Sequence, residues 1–199
     1  MKKNLSTALI AGSLLAMALL QGCATKIKAS TSQNPAPAES FNKFGRIEVK
    51  HAAFKPGYHG HAAALSKIDE NIQSDLKAKL AQWNSGAANE RTLIIEPVVE
   101  QLSFKSITKR VFLGPMAGSS GVLVRMNIRD NKGKLIADPE FFQRAAAFSG
   151  GFTLGVQDNL MLTRVANLAS SYVISNYDAA VGGPTGADEQ GIAEQHPSN

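Results

Sequence analysis

Cysteine is almost missing from this 199-residue chain: Cys23 is the only one. No intrachain disulfide can form, so the folded part must be held by its core alone. Long apolar runs are missing too. The one apolar stretch, Leu5 to Leu20, falls short of the ~20 residues that a membrane-spanning helix needs. Charge of one sign is scarce, with 21 Lys and Arg against 16 Asp and Glu and a net charge of +5. That mild excess does not call for nucleic acid. There is no Gly-Lys-Ser/Thr to meet phosphates and no Gly-x-Ser-x-Gly to carry a nucleophile. No recognisable spacing joins an acid and a base, a nucleophile and a base, or a metal-ligand set. No cofactor is expected.

What is present begins at the N-terminus. Lys2 and Lys3 precede the apolar stretch containing Leu9, Ile10, Leu14, Leu15, Met17, Leu19 and Leu20, and the small residue Gly22 follows. This is the three-part layout of a secretory signal. The residues Leu20-Gln21-Gly22-Cys23 resemble the lipobox of bacterial lipoproteins, with Leu20 and Gly22 in the −3 and −1 places and Gln21 departing from the usual small residue at −2. The resemblance implies cleavage between Gly22 and Cys23, a diacylglyceryl group on the Cys23 sulfur, and acylation of the freed amine. Only a thiolate is nucleophilic enough for that thioether, and two or three acyl chains hold a protein effectively permanently where one does not. Ala24, rather than Asp, follows the cysteine, which by resemblance to enterobacterial lipoproteins implies the outer membrane, with the domain facing the periplasm.

Removal of residues 1–22 leaves 177 residues, one domain's worth, and takes Lys2 and Lys3 with it, so the net charge falls from +5 to +3. Residues 23–40 read as the lipidated cysteine and a tether, since Ala24 to Ser40 mixes Lys, Ser, Thr, Asn and Pro with little to bury. Residues 41–177 read as one globular domain. Residues 178–199, rich in Gly, Ala, Glu and Gln, read as a disordered tail.

Within the domain, Phe44 to Val49 alternates as a strand. The turn-rich Lys55 to His61 follows; His59 and His61 have no third ligand beside them and read as exposed loop residues. Leu65, Ile68, Ile72, Leu76, Leu80 and Trp83 recur at spacings of three and four, drawing the apolar stripe of a core helix. Asn84-Ser85-Gly86 ends it, with Gly86 free to take a left-handed cap. Thr92 to Phe104 is a second strand, parallel to the first; Leu93-Ile94-Ile95 predicts cover on both faces, and Pro97 predicts an irregularity or an edge. Val122 to Ile128 is a third strand, Asp130-Asn131-Lys132-Gly133 a turn, and Lys134 to Ala137 an antiparallel fourth. Asp158 is the N-cap candidate of a last helix, whose face carries Leu162, Val165, Ala169, Tyr172, Val173 and Asn176.

Two groups of residues stand out as candidate binding surfaces. Lys105 to Gly121 joins positive charge to apolar residues and glycines in a long connection; Phe112, Leu113 and Met116 would anchor a partner while Lys109 and Arg110 orient it. Arg125, Arg129 and Arg144 would form a basic face for an anionic group, unless they simply cover a solvated sheet. From Val111 to Phe152 the chain also resembles the bacterial lipoprotein family catalogued as domain of unknown function 4410. The resemblance lies in Arg110 before the glycine-bearing Leu113 to Ser120, the strand Val122 to Ile128, the turn with Asp130 and Gly133, and Ser149-Gly150-Gly151. It carries no catalytic residues. The element order is, more distantly, similar to that of envelope secretion and assembly lipoproteins.

The expected fold is α/β or α+β in the order β-α-β-β-β-α, a single sheet of about four strands with two helices packed on one face. The expected function is that of a non-enzymatic, lipid-anchored module that binds a protein partner in envelope assembly, secretion or maintenance. A binding module for lipopolysaccharide or a cell-wall fragment is the alternative, and an enzyme ranks last.

Overall fold

The computed structural model describes residues 26–86, 89–104, 119–145 and 156–193. In chain order its elements are β1 (Gln33–Asn34), a 3-10 turn at Phe41–Lys43, β2 (Arg46–Val49), β3 (Ala53–Phe54), α1 (Ala62–Trp83), β4 (Thr92–Ser103), β5 (Gly121–Asp130), β6 (Leu135–Ala137), β7 (Glu140–Arg144), α2 (Val156–Ser175), β8 (Gly183–Pro184) and a 3-10 turn at Glu189–Gly191.

β4 and β5 form the antiparallel centre, from Leu93 opposite Asp130 to Ser103 opposite Gly121. β2 and β3 both pair with β4 in parallel, and β6 and β7 both pair with β5 antiparallel. The fold is thus mixed α/β with two helices, a six-stranded sheet and a separate two-stranded one formed by β1 and β8. The single four-strand sheet expected from the sequence is too narrow, because two of its columns are broken into two strands each. Pro97 accounts for one break. It pairs with Met126, whose N–H turns away to the Pro139 carbonyl, so the proline nitrogen faces the gap between β2 and β3, where no donor is needed. The Asp138-Pro139 dipeptide lies at the other break, between β6 and β7.

Both helices lie on one face. Leu93, Ile95 and Val99 of β4 and Val122, Val124, Met126 and Ile128 of β5 share a core with Ile68, Ile72 and Leu76 of α1 and Leu162, Val165, Ala169 and Val173 of α2. Each Val, Leu, Ile or Met side chain among them contributes about 1.5–3 kcal/mol when withdrawn from water. Ile94 is only half-buried, so the Leu93-Ile94-Ile95 run is covered on one face and not on both. α1 ends without a left-handed glycine. Its C-cap is Asn84 in helical conformation, whose amide is occupied instead with the Ile47 N–H and carbonyl (2.8 and 2.9 Å). Asp158 lies inside the first turn of α2 rather than capping it; there its charge suits the positive end of the helix. The β5–β6 turn is as expected, with Gly133 at φ +83° and the Asp130 carboxylate accepting the N–H groups of Lys132 and Lys134 (both 2.9 Å).

The segments read as tether and tail are built into the fold over residues 26–40 and 178–193. β1 pairs with β8. Ile27 and Ala29 are buried with Leu123 and Phe142 on the face of the sheet away from the helices, and Ala29 bridges to Ile192. These segments hold by main-chain pairing and close approach, which a hydrophobicity reading does not register. Gly186 shows how. At φ +80°, a Cβ there would stand 2.3 Å from Leu168 Cδ1 and 2.7 Å from the Phe142 carbonyl oxygen. Asn176 fastens the turn between α2 and β8, its Oδ1 accepting from Val181 and Gly182 and its Nδ2 donating to Gly182 and Tyr172 carbonyls (2.8–3.0 Å).

The sheet edges are occupied by the same chain. Beyond β2, Asn84 binds Ile47, Gln73 donates to the Lys50 carbonyl, and Asp69 accepts from Ala52. Beyond β6 and β7, Ala38 donates to the Ile136 carbonyl and Phe142 donates to the Thr185 carbonyl (2.8 and 2.7 Å). Side chains and terminal segments therefore take donors and acceptors that an added strand would use.

Candidate functional site

Gly22 and Cys23, and the partner-binding candidates Lys109, Arg110, Phe112, Leu113 and Met116, lie outside the described residues. The flanks of the long connection lie within them. Ser103 pairs with Gly121, and the Ala145 N–H donates to the Ser120 carbonyl (3.1 Å). The connection therefore leaves and re-enters the fold at the end of the central ladder, where β7 also finishes, with Gly121 opposite Arg144.

Arg125, Arg129 and Arg144 occupy the sheet face opposite the helices. Arg125 and Arg129 are four residues apart on β5, and Arg144 stands opposite Gly121, four residues the other way. At about 3.3 Å per residue that spreads them at intervals of roughly 13 Å, a row and not a convergent cradle. Their charges are also engaged. Arg125 reaches Glu100 (3.0 Å), Asp138 (3.2 Å) and Glu140 (3.2 Å). Burial pulls its pKa down, but those carboxylates more than offset this and hold it above the ordinary guanidinium value. Arg144 is bound by Asp188 and Gln190, and Arg129 donates to the Gly133 carbonyl at 3.2 Å. The basic face expected from the sequence is thus, at Arg125, a site where three carboxylates already surround one guanidinium.

Sequence reasoning missed the residues that organise this site. A bulge between Val99 and Gln101 leaves Glu100 as an extra residue on β4 and turns its carboxylate to Arg125. Glu140 is buried, and one of its carboxylate oxygens accepts from the N–H and hydroxyl of Ser30 and the N–H of Thr31 while the other faces Arg125. Lys55 stands 4.0 Å from Glu100. The signal that was present is weak: a lone Glu between Asp-Pro and two phenylalanines, and a Ser-Thr pair able to bind locally.

His59 and His61 are exposed; His61 immediately precedes α1 as its N-cap and sets its ring edge-on to Phe104 at 5.4 Å. Among the described residues no group of three His, Cys, Asp or Glu side chains is placed to hold a metal ion, and no helix is long and apolar enough to cross a membrane.

No family model matches the chain, and no curated protein matches it. Among solved structures it is similar to the PelC dodecamer from Paraburkholderia phytofirmans, at TM-score 0.43 and 15% identity, over 74% of this chain and 95% of that one. A single-residue variant of that dodecamer matches at TM-score 0.43 and 16% identity over the same shares. Likeness at this level leaves function to be argued from the residues themselves.

Proposed function

We propose that the protein is a lipid-anchored, non-enzymatic interaction module of the bacterial outer membrane, facing the periplasm and serving envelope assembly, secretion or maintenance through a protein partner. The observation that carries the reading is the way the Lys105 to Gly121 connection is mounted. Its two ends are held by the Ser103–Gly121 pair at the end of a long antiparallel ladder, and a loop on a rigid mount is where contacts are most often built. The occupied sheet edges direct attention to that connection, since added-strand binding has few free main-chain groups to use there. Lys109, Arg110, Phe112, Leu113 and Met116 are the proposed contact residues, and Cys23 the proposed lipid attachment. The anionic-ligand reading ranks second, because a phosphate approaching Arg125 would meet three carboxylates.

The test is photocrosslinking in cells from positions Phe112 and Met116, read by mass spectrometry. A discrete protein adduct is expected and would name the partner. No adduct from either position, with the protein abundant and membrane-bound, would overturn the loop as an interface. Cys23→Ala is expected to leave unlipidated protein in the soluble or a mislocalised fraction, and an unchanged membrane fraction would sink the anchor.

A further inference from the structure

The chain after the proposed lipid site is not a spacer. Ile27 and Ala29 are buried against Leu123 and Phe142. Ala29 donates to the Gly191 carbonyl and accepts from the Ala193 N–H (both 2.8 Å). Only Ala24, Thr25 and Lys26 separate Cys23 from this fixed point, a reach of at most about 14 Å even when fully extended. The free tether expected from the sequence would have allowed about 55–60 Å. A domain on so short a leash cannot tumble freely above a bilayer.

The fixed point also selects which end faces the lipid. Leu123 is two residues from Gly121, and Phe142 two from Arg144, at the end of the ladder where Gly121 and Arg144 pair. Tyr172, near the end of α2, packs on Phe141 at the start of β7, so α2 runs antiparallel to β7 and its first turns lie at this same end. They carry two exposed apolar residues, Val156 (50% exposed) and Leu160 (38%). Lys26 is exposed and Lys28 partly so, on either side of buried Ile27. The opposite end holds the Asp130–Gly133 turn. The ten residues of β5 put it on the order of 30 Å away.

We propose that the end of the sheet bearing Lys26, Lys28, Val156 and Leu160 docks on the lipid bilayer surface. The occupant follows from the leash, which places the acyl chains beside this end and no other. Lys26 suits lipid phosphates, with Lys28, whose ammonium also donates to the Gln190 carbonyl, beside it, and Val156 and Leu160 suit the interfacial region, where an apolar contact supplements the acyl chains. The Asp130–Gly133 turn then points into the compartment, and the Lys105 to Gly121 connection, whose flanks Ser103 and Gly121 pair at the docking end, would meet its partner beside the bilayer surface. This rests on lipidation of Cys23.

The experiment uses the full lipidated chain in vesicles of phosphatidylethanolamine and phosphatidylglycerol. Because Cys23 is the only cysteine, lipidation leaves an introduced thiol as the single labelling site. Fluorophores are placed by Val156→Cys, Leu160→Cys and, as the distal control, Lys132→Cys, with a quencher on the lipid headgroups. Quenching several-fold greater at positions 156 and 160 than at 132 is expected. Equal quenching at all three, or more at 132, overturns the orientation while leaving the anchor intact. Self-quenching between labelled copies at 156 without lipid quenching assigns this end to a second copy and overturns the proposal. Intact-mass analysis showing no lipid on Cys23 removes the leash and overturns both the orientation and the anchor.

Discussion

Asn34 and Glu140 are joined as though they were opposite residues of neighbouring strands. The Asn34 Nδ2 donates to the Glu140 carbonyl, and the Glu140 N–H donates to the Asn34 Oδ1, both at 2.8 Å. A side-chain amide thus stands in for a peptide group at the outer edge of β7, and both residues are buried. Asn34→Ala would leave the Glu140 N–H and carbonyl without partners away from water, which costs about 2–3 kcal/mol in total. The expected result is a lower urea midpoint, followed by the fluorescence of Trp83, the single tryptophan. Faster amide exchange around residues 29–36 should accompany it. Unchanged exchange there would show that the strap is held elsewhere.

Gly186 offers a second way to release the terminal segments. Its positive φ and the neighbouring Leu168 and Phe142 atoms leave no room for a methyl group. Gly186→Ala should cost at least about 1–2 kcal/mol. The loss should appear first as proteolytic cleavage after Asn176 while the core helices stay protected. A cleavage pattern equal to that of the parent protein would contradict this.

The central fold was legible because period and turn chemistry agree there. Ile68, Ile72 and Leu76 mark one helix face, Val122 to Ile128 alternate, and Asp130 to Gly133 can only turn. Residues 26–40 and 178–193 were misread because composition reports what a segment can bury as side chain. Here Asn34 and Thr185 are buried, and Gly186 partly so, through amide geometry, a main-chain bond to Phe142 and the lack of a Cβ. The three arginines were found as residues but not as a site. Which carboxylates meet Arg125 depends on a bulge at Glu100 and on a strand pairing that sets Glu140 opposite it, and neither leaves a mark in local sequence.

Arg125 should be a structural residue rather than a ligand hook. Arg125→Met keeps much of the packing but leaves Glu100, Asp138 and Glu140 without their shared counter-charge. Removing one partner from a buried ion pair is costly; because this guanidinium is partly exposed, the loss is reduced to about 1–2 kcal/mol. Arg125→Lys should recover less than half of it, since a point charge cannot reach three carboxylates as a fork does. Equal stability of all three proteins in urea would show that the cluster does little for the fold and would return Arg125 to the anion-binding reading.

Tyr172 supplies a prediction at alkaline pH. Its ring lies between Phe41 and Phe141, and its hydroxyl donates to the Pro35 carbonyl at 3.1 Å. Burial raises its pKa from 10.0 to about 12. Between those values the unfolded chain has released a proton that the folded chain retains. The stabilising contribution is therefore complete below about pH 10 and declines as pH rises toward 12. A shift of about two units corresponds to roughly 2–3 kcal/mol. Tyr172→Phe cannot titrate there, but it gives up the bond to Pro35, worth about 1 kcal/mol. The parent protein should therefore be more stable than the variant at neutral pH, and the two stability curves should cross between pH 10 and 12. Parallel curves across that range would mean that Tyr172 ionises as readily folded as unfolded, which its place between two phenylalanine rings should prevent.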